Sequence, residues 1–143
     1  MKLCAFIITT SLAISCIHQK RATGSLKIAG TGMISTASGL KYIVLKKGSG
    51  PLAKVGDEIL LYETTTYLNG TILYSNENTG RPVKVLIGAH QATEGVDEGL
   101  RGMQAGEVRK LILTPGLAKR TSYPDNVSPD SSIVVKVELH KIL

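Results

Sequence analysis

The chain contains no tryptophan, and its single phenylalanine, Phe6, stands near the N-terminus; aromatic residues make up 4% of the 143 positions. Beyond residue 6 the only large rings are Tyr42, Tyr62, Tyr67, Tyr74 and Tyr123. A binding cup walled by several Phe or Trp rings is therefore excluded. Cysteine is almost as scarce. Only Cys4 and Cys16 exist, so everything after residue 16 lacks both a disulfide and a thiol nucleophile. The three histidines, His18, His90 and His140, are far apart in sequence, and solvated or internally bonded rings explain them better than a metal site. Asp97 and Glu98 are neighbours on a helical pattern and point apart, so they do not form an acid–base pair. The Gly99–Gly102 spacing lies inside that helix rather than after a strand, which rules out a phosphate loop. The net charge is +6, but the positive residues scatter in pairs such as Lys46-Lys47, Arg109-Lys110 and Lys119-Arg120. Without a basic helix or an aromatic-interleaved basic stripe, no nucleic-acid partner is expected. Neither a metal nor a cofactor is expected.

Long apolar runs are also absent, with one exception. Leu3 to Ile14 follows the lone positive charge of Lys2, is too short to span a bilayer and ends at Ala13-Ile14-Ser15-Cys16. That pattern predicts a signal peptide over residues 1–15. A small residue directly before a cysteine resembles a bacterial lipobox, which implies lipidation of Cys16 and a membrane anchor in the cell envelope. Ile17, rather than Asp, follows that cysteine and points to the outer membrane or its periplasmic face. Residues 16–36 are rich in Gly, Ser, Thr, Lys and Ala and predict a flexible tether, with a reach on the order of 25 Å.

From there the pattern becomes that of a sheet, and residues 37–143 read as one domain. Leu40 to Lys47 alternates up to the turn signal Gly48-Ser49-Gly50-Pro51. Glu58 to Leu68 predicts a long strand, Asn69-Gly70 a hairpin, and Thr71 to Ser75 the return strand. Val83 to Ile87 and Glu107 to Thr114 are further strands, and Pro115 to Asp130 is a long loop. The last strand alternates most cleanly, with Ile133, Val135, Val137 and Leu139 on one face. Between two of these strands, Val96, Leu100 and Met103 fall at i, i+4 and i+7 and predict a short amphipathic helix. Asp97 and Glu98 suit its positive end, and Gly106 is expected to stop it in the left-handed conformation. The fold class is α+β, a sheet with one apolar face packed on a single helix.

The segment Thr93 to Pro115, TEGVDEGLRGMQAGEVRKLILTP, resembles the centre of the FK506-binding-protein (FKBP) type of peptidyl-prolyl isomerase. Gly95, Glu98, Gly99, Leu100, Gly102, Met103, Gly106, Glu107 and Pro115 carry the likeness, and Val96 stands where the family has a Trp. The lead-in Thr36 to Tyr42 and the closing Val135 to Leu139 resemble the same family's ends. The resemblance implies a half-barrel of five to six antiparallel strands curled around the helix, and a cleft for proline-containing polypeptides. Carried over position by position, the family's cleft falls on Glu63, Leu73, Tyr74, Val83, Ala92, Thr93, Val96, Lys119 and Val135, with Tyr123 in the covering loop. A one-residue bulge in the long strand would bring Tyr62 to the cleft in place of Glu63, because a one-residue slip exchanges faces. The backbone N–H of Thr93 remains available to a substrate carbonyl. Tyr62, Tyr74 and Tyr123 are the candidate aromatic anchors. Two functions follow: an envelope prolyl isomerase with a cleft depleted of aromatics and weakened or lost activity, or a non-catalytic binding or chaperone lipoprotein that acts on an envelope protein.

Overall fold

The computed structural model describes residues 32–143, so the expected signal peptide, Cys16 and most of the tether lie outside the described residues. Eight elements follow in order: β1 (Ile34–Ser35), β2 (Lys41–Lys46), β3 (Glu58–Tyr67), β4 (Ile72–Ser75), β5 (Val83–Leu86), α1 (Glu94–Leu100), β6 (Val108–Leu113) and β7 (Ile133–Ile142). The strands make one antiparallel sheet in the order β1-β2-β6-β7-β3-β4, and β5 also pairs with β3. This is the expected open sheet with one short helix. The two-residue β1, which lies within the segment read as tether, brings the strand count to seven.

Alternation decides the faces. Ile59 and Leu61 on β3, Leu111 and Leu113 on β6, and Ile133, Val135, Val137 and Leu139 on β7 are buried together with Val96, Leu100 and Met103. Each such aliphatic side chain contributes roughly 1.5–3 kcal/mol when removed from water. The Asn69-Gly70 turn forms as expected, with Gly70 at φ +90 and the Tyr67 N–H donating to the Thr71 carbonyl at 2.9 Å. The long β3 has β7 along one side; along the other, β5 takes its first half and β4 its second. Buried Asn76 fills the gap between those two partners. Its Oδ1 accepts from the Glu63 N–H at 2.6 Å, and its Nδ2 donates to the carbonyls of Leu61 and Arg81.

The helix is shorter than its apolar stripe. It ends at Leu100, Gly102 takes the left-handed conformation at φ +73, and Met103 continues into the core from the turn beyond. Gly106, expected to stop the helix, is also left-handed (φ +79), but it sits in the turn into β6 with its N–H donating to the Leu139 carbonyl at 2.7 Å. Two glycines let the helix lie directly on the sheet. A Cβ on Gly95 would stand 2.9 Å from Leu113 Cδ2, and one on Gly99 only 2.6 Å from Leu111 Cδ1. These glycines cost about 1 kcal/mol each in helix propensity, so the helix depends on its surroundings.

The strongest of those surroundings is Arg109. Its side chain is 9% exposed and its guanidinium donates to Glu107 Oε1 at 2.6 Å, to the carbonyls of Gly99 and Gly102 at 3.0 Å, and to that of Arg101 at 3.1 Å. The Tyr42 ring lies 4.9 Å away beneath it. Arg109→Leu leaves the Glu107 carboxylate buried without its partner and the helix carbonyls unbonded. We expect a loss of about 3–5 kcal/mol in unfolding free energy by urea titration. A loss below about 1 kcal/mol would show that the clasp is dispensable.

Candidate prolyl-peptide cleft

The concave face of the sheet, the helix start and the loop after β6 enclose a cleft of about 690 Å³. Its apolar surface comes from Leu61 on β3, Val83 and Val85 on β5, Ala92, Val96 on α1 and Val135 on β7. Val96 is 5% exposed and forms the floor. Polar groups complete the lining: Glu63 and Thr65 on β3, His90, Gln91, Thr93 and Glu94 before and at the helix start, and Lys119, Arg120, Thr121 and Ser122 on the loop. No Phe, Tyr or Trp is among the described residues that line it.

Seven of the positions expected from sequence meet here: Glu63, Val83, Ala92, Thr93, Val96, Lys119 and Val135. Four do not line the cleft. Tyr62 is on the outer face, where its ring meets His140 edge-on at 5.5 Å. The bulge in this region does not move it inward, because the extra residue belongs to β7: Leu60 pairs with Lys141 and Leu61 with Leu139, leaving His140 over. The register of β3 therefore keeps Glu63, not Tyr62, on the concave face beside Leu61 and Thr65. Leu73 packs against the core, while Tyr74, the next residue on β4, pairs with Thr65 at the sheet edge and is 45% exposed, outside the cleft lining. Tyr123 accepts a hydrogen bond from the Arg120 N–H at 3.1 Å, so its hydroxyl stiffens the loop rather than reaching the cleft. The covering loop is tied down elsewhere by Tyr67, whose hydroxyl donates to the Asn126 carbonyl at 3.0 Å and accepts from the Ser128 N–H at 2.8 Å.

The sequence reading missed Arg120, His90 and Gln91. Gln91 and His90 belong to the turn after β5, and the Gln91 side chain accepts from the Leu86 N–H at 2.9 Å. The sequence signal for this turn was only a run of small and polar residues. Asp97, expected to serve the helix dipole, also has a local task. Buried at 5% exposure, it accepts from the Gly88 N–H at 2.7 Å and pairs with Arg101 at 2.6 Å, which fixes the same turn against the helix. Thr93 stands before the helix without capping it, and its hydroxyl is buried with no partner.

Glu63 is the electrostatic oddity. Burial raises its carboxyl above the usual Glu range, and the charge of Arg120 only partly opposes this. A carboxyl whose pKa is raised on folding binds more protons in the native than in the unfolded state, so stability falls as pH rises from the unfolded value toward the raised one. Glu63→Gln removes that cost. The variant should melt at a higher temperature than the natural chain near pH 7, with the difference fading below about pH 4.5, where both states carry a neutral group. A Tm difference independent of pH would show that the carboxyl is not disfavoured by burial.

Comparison with known proteins agrees with this architecture. A family profile for FKBP-type peptidyl-prolyl cis-trans isomerases matches residues 50–140. FK506-binding protein 1 of Dictyostelium discoideum is 31% identical over 102 residues, covering 71% of this chain and 95% of that protein. Peptidyl-prolyl cis-trans isomerase FKBP10 of Bos taurus is 38% identical over 87 residues, 61% of this chain but only 15% of that longer protein. The crystal structure of FkpA from Escherichia coli superposes with a TM-score of 0.69 at 26% identity, covering 79% of this chain and 52% of that one. The chain belongs to the FKBP-type peptidyl-prolyl cis-trans isomerase family.

Proposed function

We propose that the cleft binds proline-containing polypeptides and catalyses their cis–trans isomerisation slowly, in the bacterial cell envelope. The observation that carries this reading is the aliphatic cup of Leu61, Val83, Val85, Val96 and Val135 at the place where the sheet, helix and loop converge. Isomerisation breaks no covalent bond. Its barrier is amide resonance, about 20 kcal/mol, and the uncatalysed step takes tens of seconds. A cup that removes water from the imide and favours the twisted state lowers that barrier without a nucleophile. Aliphatic walls desolvate the proline ring. They lack the flat rigid face of an indole, and for that reason we expect slow catalysis. We expect the backbone N–H of Thr93 to hold a substrate carbonyl, since Thr93 lines the cleft.

The absence of Phe, Tyr and Trp from the lining favours a second reading, in which the cleft binds without catalysing. An NMR exchange measurement on an Ala-Leu-Pro peptide separates the two. We expect exchange faster than the uncatalysed rate, and a Val96→Trp variant to raise kcat/KM roughly 2- to 12-fold by adding one aromatic contact. Binding without acceleration, from a chain shown to be folded, would establish the second reading and refute the first.

The location rests on the leader pattern and on Cys16, which we propose is lipidated and holds the domain at the outer membrane through the residue 16–36 tether. In a bacterial host, Cys16→Ser should move the protein from the membrane fraction to the soluble fraction, because a lipid chain is the sole proposed anchor. Retention of the variant in the membrane would overturn the anchor.

A further inference from the structure

Glu63 places on the cleft lining a half-buried carboxyl that the isomerisation reading leaves unused. Its backbone is pinned, with the N–H held by Asn76 Oδ1 at 2.6 Å and the residue paired with Val137 across β7. Among the described residues its side chain has no hydrogen bond and no ion pair within 4.0 Å, although it lines a cleft large enough for a peptide. Its neighbours on the concave face are aliphatic Leu61, Val135 and Val137 and the hydroxyl-bearing Thr65. A half-buried acid placed like this has lost part of its hydration without gaining a protein partner in return.

The other charged and titratable groups of the cleft are Lys119 and Arg120 on the loop, His90 on the turn and Glu94 at the helix start. All four are exposed, so water and salt screen them. Arg120 is near enough for its charge to act on Glu63, yet it makes no ion pair with it. Among the described residues that line the cleft, Glu63 is the charged group least exposed to water, and less solvated charges decide selectivity more than rim charges do.

Resting on the reading of this cleft as a prolyl-peptide site, we infer that Glu63 makes it selective for peptides with a lysine or arginine next to the proline. The ligand's ammonium or guanidinium supplies the charge-assisted hydrogen bond that the carboxylate lacks in the free protein. Proline enters the aliphatic cup, and the adjacent basic side chain lies along β3 toward Glu63. No covalent change is involved.

The test uses the full chain and four fluorescein-labelled peptides containing Ala-Lys-Pro-Ala, Ala-Leu-Pro-Ala, Ala-Glu-Pro-Ala and Ala-Ala-Pro-Lys. Affinities are read by fluorescence anisotropy at neutral pH and low salt, and isomer exchange by NMR on the same peptides. At least one lysine peptide should bind about tenfold or more tightly than the Leu-Pro peptide, and the Glu-Pro peptide should bind most weakly. In Glu63→Gln the lysine-to-leucine ratio should fall to within about twofold, whereas Glu63→Asp should keep part of the preference. Equal affinities for the lysine and leucine peptides, a preference for Glu-Pro, or a lysine preference that survives Glu63→Gln would each overturn the inference. Those outcomes leave Leu-Pro binding and exchange to stand on their own. If no peptide binds a folded chain, the prolyl-peptide reading itself fails and the selectivity with it.

Discussion

The structure depends on one buried guanidinium. Seven helical residues, two of them glycine, cannot hold a helix in water, and a helix of this length has more unbonded carbonyls than bonded ones. Arg109 resolves this from outside the helix. It gathers the carbonyls of Gly99, Arg101 and Gly102, takes its countercharge from Glu107 and rests on Tyr42 of β2. A cation suits that site for a second reason, since the helix dipole is negative at its C-terminal end. One side chain thus fastens α1 to β6 and β2, and through α1 it fixes Val96 as the floor of the cleft.

The other half of the cleft depends on how β3 changes partners. A strand flanked by β5 and then β4 must leave a gap where neither reaches, and backbone groups in such a gap require bonds from elsewhere. Asn76 provides them with one amide, donating to two carbonyls and accepting from the N–H of Glu63. The residue at this junction is therefore held rigidly. The backbone of Glu63 is fixed on both sides of the strand, and its side chain lines the concavity.

Period-two alternation explains most of what was legible in the sequence and part of what was missed. β3, β4, β5 and β7 all fall within a residue or two of the expected bounds, because each combines a β-rich run with a turn signal. The same rule places Arg109 on the face of Leu111 and Leu113, and Glu63 on the face of Leu61 and Thr65. Read as charge, Arg109 belonged to a solvated pair with Lys110; read as parity, it belonged inside. The helix end was misplaced for a different reason. An apolar stripe measures which residues are buried, not which are helical, and Met103 is buried from the turn that follows. β1 carried no pattern at all, since two residues are too few for a period to show.

The outward position of Tyr62 follows from the same accounting and completes the description of the cleft. Its strand has two faces, and the bulge that could have exchanged them is absorbed by β7 at His140. The ring stays outside against that histidine, and the concavity receives a carboxyl instead. Val96 on the floor and Val83 and Val135 on the walls take up less volume than aromatic rings would. The β3 register keeps Tyr62 out and brings Glu63 in, while the valines on α1, β5 and β7 make the rest of the cup aliphatic. The domain keeps the scaffold of its family around a cleft that sets a half-buried carboxyl beside aliphatic walls.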